Sequence, residues 1–435
     1  MLDRLPLELV IDIFRLCLVD NGLDKVKSNE APLLLGRVCS SWRTAVLCAP
    51  VLWSTFHVNC MLRTRLDSMK NIADLWLSRS GTHPLDVAVA VQSLADASVT
   101  PLLSILGQHA PHTRSFHLYT CTDDFKPLEA FRMDFRILEH LAIDVMSLDE
   151  EVSPWPADAT VRAFSLATAL SVISLHGSRI PSLCFALPWA RVTSFDAPPC
   201  GVDELLRILE YLANLAHLYI TVDDWDGIQQ RGTPLRHSHL RTFFCKFFSR
   251  NRPIFLESLI LPSLDALAIL PSEDSVPLCL DLLERSSGRL KMLKLYPRRE
   301  SAGHPLPEIS LFKQPSLSGL QKLDIVAPDP VAFEAFCNAL VSHPGFLPEL
   351  RALAVGTREE DLADYTRQIV ELVGLSLEKR VVGAGCSNLR SLRVAWSPKL
   401  VVDVEPLVLK SFQAVKGSGV EVYVGGDSKY CLSLV

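Results

Sequence analysis

One short apolar pattern, repeated along most of the chain, constrains the fold more than any other feature of the sequence. From about residue 110 onward the order apolar-x-x-apolar-x-apolar recurs, as at residues 290–295, 320–325 and 350–355. The last three positions of each copy alternate as expected of a β-strand with one buried face. The copies start at Leu138, Leu170, Val192, Leu215, Leu240, Leu264, Leu290, Leu320, Leu350 and Leu389. Weaker copies surround Phe116 and Val87.

The spacing of these copies indicates a repeat protein. Successive starts are mostly 22 to 32 residues apart, and the last gap is 39 residues. This spacing is similar to the period of roughly 20 to 29 residues in leucine-rich repeats. Helix-period apolar residues lie between copies, at 201–214, 330–340 and 362–377. Strand followed by helix, repeated with right-handed crossovers, predicts an α/β solenoid with parallel strands.

The repeats depart from the leucine-rich pattern at one position. Nine residues into each unit that family places Asn or Cys to bond neighbouring turns, but Cys200 alone conforms, while Met146, Asp223 and Ser397 do not. The predicted solenoid is therefore irregular. The alternative is that the strands belong to an ordinary doubly wound domain.

The first fifty-odd residues predict helices with more apolar surface than they can bury. At about 100° per residue, the two apolar sides of the first helix are Leu5, Leu9, Ile13 and Leu16, and Leu7, Val10, Ile11, Phe14 and Leu18. A segment of this size has too little interior to cover both sides, so one side requires a partner. Asp3 is a candidate cap, and further helices are predicted from about Leu33 and from Val38, the last ending before Pro50.

These residues resemble an F-box. The matching patterns are Leu-Pro-x-Glu-Leu-x-x-x-Ile-Phe at 5–14, Val-Cys-x-x-Trp-Arg at 38–43 and Pro-x-Leu-Trp at 50–53. Trp-Leu-Ser-Arg-Ser-Gly at 76–81 with Pro-Leu at 84–85 is similar to the large fungal F-box group. The resemblance implies a three-helix module that binds a Skp adaptor, and through it a cullin. The positions it assigns to adaptor binding are Leu5, Pro6, Leu9, Ile13, Val38, Trp42, Pro50 and Trp53.

Three regions are expected on this basis. Residues 1–56 form the F-box, residues 57–110 a linking helix and the first strands, and residues 111–435 the leucine-rich-repeat-like region that recognises a substrate. The loop of residues 20–31 is longer than F-boxes usually have. For Val38 and Trp42, packing in a small helical core is the competing interpretation.

Composition and local sequence indicate which classes of partner and which cellular compartment to expect. A net charge of -6 excludes the basic surface that sequence-independent nucleic-acid binding needs. Asp3, Glu8 and Asp12 interrupt the pattern of a signal peptide, and acidic residues interrupt the apolar stretch at 84–106, so no membrane association is expected. The scattered cysteines and the absence of a glycosylation acceptor favour an intracellular protein of the cytoplasm or nucleus.

The sequence predicts neither a catalytic centre nor a cofactor site. No two cysteines are two to four residues apart, and His109, His112, His117 and Cys121 have the wrong spacing for zinc. Gly383, Gly385, Gly417 and Gly419 mark turns rather than phosphate loops. Asp223, Asp224, Trp225 and Asp226 follow a predicted strand and are the candidate contact for a basic substrate segment, with a solvated loop as the alternative.

The expected function is that of a non-catalytic substrate receptor in a Skp-cullin-F-box (SCF) ubiquitin ligase. The F-box would bind the adaptor, and the repeats would hold an unknown protein substrate. The alternative is a scaffold or recognition protein without a role in ubiquitin transfer. A hydrolase or transferase on an α/β fold is a third class, for which no motif is found.

Overall fold

A computed structural model gives the architecture as parallel strands alternating with helices. The residues it describes are 5–18, 26–27, 29–61, 66–121, 125, 127–128, 133–146, 160–177, 181, 183–224, 234–247, 254–269, 275–286, 289–295, 312–326, 330–343, 345–357, 363–383 and 388–426. The chain divides into two compact units. Unit 1 is Met1–Cys200 with Arg207–Leu215, and unit 2 is Gly201–Leu206 with Ala216–Val435.

Unit 1 begins with helices and continues as strands. Its helices are α1 Leu7–Leu16, α2 Ser40–Leu47, α3 Leu66–Ser80 and α4 Thr100–His109. Its strands are β1 Thr55–Cys60, β2 Leu85–Val91, β3 Thr113–Thr120, β4 His140–Val145, β5 Val172–His176 and β6 Ser194–Asp196. All six strands pair in parallel, each with the next along the chain. Strand β7 Cys200–Gly201 is divided between the units after Cys200. Helix α5 Val202–Tyr211 is divided too, with residues 202–206 in unit 2 and residues 207–211 in unit 1.

Unit 2 repeats the strand-and-helix alternation. Its main sheet contains β8 His217–Asp224, β10 Thr242–Phe247, β12 Ala266–Ile269, β13 Met292–Leu295, β14 Lys322–Val326, β15 Ala352–Gly356, β16 Ser391–Trp396 and β17 Glu421–Gly426. A separate parallel pair is formed by β9 Leu235–Arg236 and β11 Leu259–Ile260. The helices are α6 Ser275–Ser286, α7 Pro330–Ser342, α8 Ala363–Glu378 and α9 Pro406–Gly417.

Short turns of other helix types complete the described elements. They are the 3-10 turns Leu35–Arg37, Pro50–Trp53, Ala110–His112, Trp189–Arg191, Ile254–Ser258 and Pro315–Leu317, and the π-helical turn Lys379–Gly383.

The ten predicted repeat copies are confirmed as strands. Each of the ten strands β4, β5, β6, β8, β10, β12, β13, β14, β15 and β16 begins two residues after a predicted start. The apolar residue at every predicted start is at most 7% exposed, so it belongs to the core of the repeat. The weaker copies around Val87 and Phe116 are the strands β2 and β3, whereas β1, β7, β9, β11 and β17 were not predicted.

Backbone hydrogen bonds link each repeat to the one before it. Two consecutive amides, those of Gln321 and Lys322, donate to the carbonyl of Lys291 at 2.8 and 2.9 Å. The amides of Arg351 and Ala352 bond the carbonyl of Gln321 in the same way. These bonds join neighbouring repeats at the residues that begin each strand.

The strand order decides between the two predicted architectures. Within unit 1 the order is that of the chain, from β1 to β6, and in the main sheet of unit 2 it runs from β8 to β17 without reversal. A doubly wound domain requires a point where the strand order reverses. The described parts of both units therefore match the stacking of repeats. The predicted helices at 201–214, 330–340 and 362–377 are α5, α7 and α8.

None of the helices in the described ranges combines the length and the apolar character needed to cross a lipid bilayer.

Candidate partner-binding surface at the amino terminus

Helix α1 is apolar on two sides, as its sequence predicts. The amides of Leu9 and Val10 bond the carbonyl of Pro6 at 3.1 and 3.2 Å, so the helix starts directly after the proline. The inward side carries Val10 and Phe14, which are 7% and 0% exposed. The candidate cap Asp3 lies outside the described residues.

The other side of α1 lies open to solvent. Leu5, Leu9, Ile13 and Leu16, the predicted outward stripe, are 40%, 50%, 38% and 87% exposed. Leu7 is 49% exposed although the helical wheel places it on the same side as Val10 and Phe14. We define the amino-terminal apolar surface as Leu5, Leu7, Leu9, Ile13, Leu16, Leu34, Val38 and Leu47, all exposed.

The second and third predicted helices differ from expectation. Instead of a full helix from Leu33, the chain forms turns and the 3-10 turn Leu35–Arg37. Helix α2 begins at Ser40 rather than at Val38, because the Sγ atom of Cys39 accepts the Trp42 amide at 3.5 Å and caps the helix. Val38 is 56% exposed as a result.

Trp42 connects the core to the surface. Its ring lies 5.0 Å from the ring of Phe14, and the side chain is half-buried. It also lines a groove of about 260 Å³ between α1 and α2. The groove is lined by Leu5, Leu7, Val10, Ser41, Trp42, Thr44, Ala45 and Cys48. Trp42 therefore packs against the core and also lines the groove, while its contact with an adaptor stays a prediction.

Trp53 lies in the interior rather than on the surface. It is 1% exposed, and its Nε1 donates to the carbonyl of Val46 at 2.9 Å. Its ring meets Trp76 edge-on at 4.9 Å, and the guanidinium of Arg79 lies 4.5 Å from the ring centre. Trp53 thus contacts both α2, through the carbonyl of Val46, and α3, through Trp76 and Arg79. Pro50, which opens the same 3-10 turn, is exposed.

Packing also links the amino-terminal helices to the first strand. The Nε1 of Trp76 donates to the carbonyl of Thr55, the first residue of β1, at 3.0 Å. The helices at the amino terminus and the strands β1 to β6 belong to the same compact unit. The amino-terminal apolar surface therefore belongs to the same compact unit as these strands.

Sequence reasoning missed the ends of α2 as contributors to the surface. Leu47 is 43% exposed, and Cys48 lines the groove. The signal was present in the sequence, since Leu47 lies off the apolar stripe of Val38, Trp42, Ala45, Val46 and Ala49. An apolar residue outside the buried stripe of an amphipathic helix is a candidate for partner contact.

Polar chemistry at this surface is sparse. Glu8 and Asp12 face outward, and Arg15 lies 3.4 Å from Asp12 in an exposed ion pair. Such a pair contributes little binding energy, so apolar contact dominates what this surface offers a partner.

The remaining predicted sites are distributed as follows. Burial and the neighbouring His112 lower the pKa of His109, but within the described ranges no group of three or more potential metal ligands is found. His117 instead bonds Asp144. The backbone of Asp223 and Asp224 ends β8, the structure does not describe their side chains, and Trp225 and Asp226 lie outside the described residues.

Comparison with known proteins adds no family name to this geometry. No model of a known protein family matches the chain, and no curated protein matches it.

Proposed function

We propose that the chain is a non-catalytic receptor that binds a Skp adaptor through its amino-terminal apolar surface and a protein substrate through its repeats. The F-box-like residue pattern motivates the choice of adaptor. One structural observation supports it most directly: Leu5, Leu9 and Ile13 lie exposed on one side of α1 while Val10 and Phe14 anchor the other side. An exposed apolar patch of this kind marks an interaction site.

In this proposal the chain contributes proximity rather than chemistry. The adaptor connects the receptor to a cullin, and the cullin brings a conjugating enzyme close to the bound substrate. Holding the two reactants in one complex raises the effective concentration of substrate lysines near the activated ubiquitin. The repeats need only bind the substrate for long enough to allow transfer.

The test replaces exposed apolar residues by acids where the fold does not depend on them. The Leu9→Asp, Ile13→Asp double variant introduces two charges into the proposed contact. Burying one leucine or isoleucine at an interface is worth about 1.5–3 kcal/mol. The double variant should therefore lower adaptor affinity by at least about 100-fold. The measurement is co-precipitation of adaptor and cullin, followed by titration of purified adaptor.

A matched control makes the same chemical change elsewhere. Val401 and Leu407 are 89% and 63% exposed and belong to unit 2. The Val401→Asp, Leu407→Asp variant should recover adaptor and cullin as the wild type does. Equal recovery by the wild type and the Leu9→Asp, Ile13→Asp variant would overturn the proposal.

A second measurement separates a ligase receptor from a scaffold. Proteins bound to the wild-type chain should gain ubiquitin, and their half-lives should lengthen when the chain is removed. If adaptor binding persists while no bound protein gains ubiquitin or changes its half-life, the chain is a scaffold without a ubiquitin-transfer role.

A further inference from the structure

The sheet face of unit 2 that lies opposite its leucine core carries an unusual row of side chains. In the parallel register, Lys294 of β13 pairs with Asp324 of β14, which pairs with Ala354 of β15. Ala354 pairs with Arg393 of β16, and Arg393 pairs with Tyr423 of β17. One row across five strands therefore combines two cations, one carboxylate, one methyl group and one phenol.

Asp324 is the buried carboxylate of this row. The residue is 5% exposed, and its Oδ2 lies 3.3 Å from Nζ of Lys294. Its Oδ1 is buried and meets no hydrogen-bond donor among the described residues. Burial raises the pKa of this carboxyl group although Lys294, Lys322 and Arg393 act to lower it. A buried acceptor without a donor is costly, so a ligand that supplies an N–H or O–H would be favoured here.

Among the described residues of this face, cations outnumber carboxylates around Asp324. Lys322 lies two residues before Asp324 on the same face of β14, which adds a third cation to Lys294 and Arg393. Against these stand Asp324 itself and Glu421, which shares the row of Lys322 on β17. The local excess of cations contrasts with the net charge of -6 of the whole chain. The face is therefore complementary to an anionic group.

Strand β15 carries only small residues on this face, which form a strip between Asp324 of β14 and Arg393 of β16. Strand β15 presents Ala352, Ala354 and Gly356 between β14 and β16. Adjacent strands are about 4.8 Å apart, so the Cα atoms of Asp324 and Arg393 are separated by about 10 Å. The Arg393 guanidinium lies 4.5 Å from the Tyr423 ring centre, at the β17 side of the strip.

The strip is open at one end. Lys322 is exposed, and its neighbours in the next row, Ala352 and Ser391, are half-exposed, whereas Ala354 is buried. A ligand would approach along the row of Lys322, Ala352 and Ser391. Oδ1 of Asp324 lies one row further in and is buried, so a ligand N–H reaches it only after neighbouring side chains shift.

We propose that this face binds an extended acidic segment of a partner protein. A glutamate or aspartate side chain lies between Lys322 and Arg393, and a neighbouring backbone N–H donates to Oδ1 of Asp324. A carboxylate fits better than a phosphate dianion, because the Asp324 carboxylate repels the additional negative charge. The inference deepens the proposed function, on which it rests, by naming the chemistry of the protein that the repeats hold.

The experiment uses the full chain and defined peptides. Fluorescein-labelled nonapeptides with two glutamates in all pairs of positions, in a Gly-Ser-Ala background, are compared with glutamine and phosphoserine counterparts by fluorescence anisotropy. The best glutamate peptide should bind at least about 10-fold tighter than its glutamine counterpart, since a charge-assisted hydrogen bond is about twice as strong as a neutral one. Binding should weaken as salt concentration rises.

Two variants and one control locate the site. Lys322→Gln should weaken binding of the best glutamate peptide by about 3- to 10-fold, and Arg393→Gln by more than about 10-fold. Lys410→Gln, which removes an exposed cation from α9, should leave binding unchanged. Because Lys322 is exposed, its variant keeps the test informative even if Arg393→Gln fails to fold.

Three outcomes would overturn the inference. They are glutamate peptides that bind no better than glutamine peptides, Lys322→Gln and folded Arg393→Gln variants that bind like the wild type, and phosphoserine peptides preferred by more than about 10-fold over glutamate peptides. Adaptor capture is measured on the same proteins. Adaptor capture without acidic-peptide binding rejects this inference alone, and acidic-peptide binding without adaptor capture rejects the adaptor proposal.

Discussion

The sheet faces opposite the leucine cores of the two units differ in how they satisfy their polar side chains. In unit 1, Asp144 accepts from Nε2 of His117 at 2.5 Å and from Nδ1 of His176 at 2.6 Å. The other nitrogen of His176 lies 3.2 Å from Asp196. In unit 2, Asp324 keeps one oxygen without a donor among the described residues. On this face of unit 1 the charged side chains therefore hydrogen-bond one another. On the corresponding face of unit 2 one carboxylate oxygen lacks a donor among the described residues and is the group to which the proposed ligand would donate.

The pKa shifts follow this difference. Both nitrogens of His176 face carboxylates, which only accept hydrogen bonds, so the ring is an imidazolium. Hydrogen bonds to Asp144 and Asp196 raise the pKa of His176 to about 10. Burial alone would raise the pKa of Asp144, but the hydrogen bonds from His117 and His176 lower it to about 2. For Asp324 burial prevails, and the pKa is raised.

The largest expected effect should be common to both units. Leu170 and Leu320 occupy the same repeat position in unit 1 and unit 2, and both are 0% exposed. Leu170→Ala and Leu320→Ala should each destabilise their own unit by about 2–5 kcal/mol through lost burial and a cavity. Hydrogen exchange of the amides in each unit measures the loss.

Leu166→Ala is the control for this pair. Leu166 is 61% exposed in unit 1, so its truncation should cost less than about 0.5 kcal/mol. If Leu170→Ala or Leu320→Ala lost as little stability as Leu166→Ala, the cores of the two units would differ. The two units would then differ in their cores as well as in their polar faces.

The next effect should distinguish the two faces. Asp144→Asn removes a charge that the folded protein favours, and the pKa shift from 3.8 to about 2 corresponds to a loss of about 2 kcal/mol at neutral pH. Asp324→Asn removes a charge that the folded protein disfavours, so stability should stay within about 1 kcal/mol of the wild type or increase. Denaturant unfolding followed unit by unit compares the two variants, and equal losses would contradict the contrast.

The smallest effect is a pH dependence. Because the folded pKa of His176 is raised from 6.5 to about 10, its stabilisation is fully present below pH 6.5 and is lost as the pH rises through about 10. The difference in melting temperature between wild type and His176→Gln should therefore shrink from pH 6.5 to pH 10. A constant difference over this range would show that His176 is not charged in the folded protein. The sign is opposite for Asp144, whose stabilisation is present above pH 3.8 and is lost as the pH falls through about 2.

The repeat strands could be located from the sequence because each copy carries its own local signal. Leu323 and Ile325 alternate as expected of a strand with an apolar face, and the strand β14 begins two residues after Leu320. Strand β17 was missed because residues 421–426 contain exposed and half-exposed positions with no buried leucine. Such a strand is defined by its pairing with β16 rather than by its own residues.

The amino-terminal region could be predicted only in part from the sequence. Helical geometry alone places Leu5, Leu9 and Ile13 on one side, but which side is exposed follows only from the structure. The shortness of the second helix and the burial of Trp53 do not, because both depend on how α2 packs against α1 and α3. The adaptor as partner remains a proposal that the co-precipitation experiment tests.

The sequence by itself determined the parallel strands, their spacing and the apolar residues beneath them, because these depend on periodicity within a few residues. Tertiary structure alone decided that Asp144 lies between two histidines and that Asp324 is buried beside Lys294. Residues such as His117, Asp144 and His176 are 27 and 32 positions apart and meet only through strand register. Charge pairing across strands depends on that register, which is set by the stacking of whole repeats and has no local signature in the sequence.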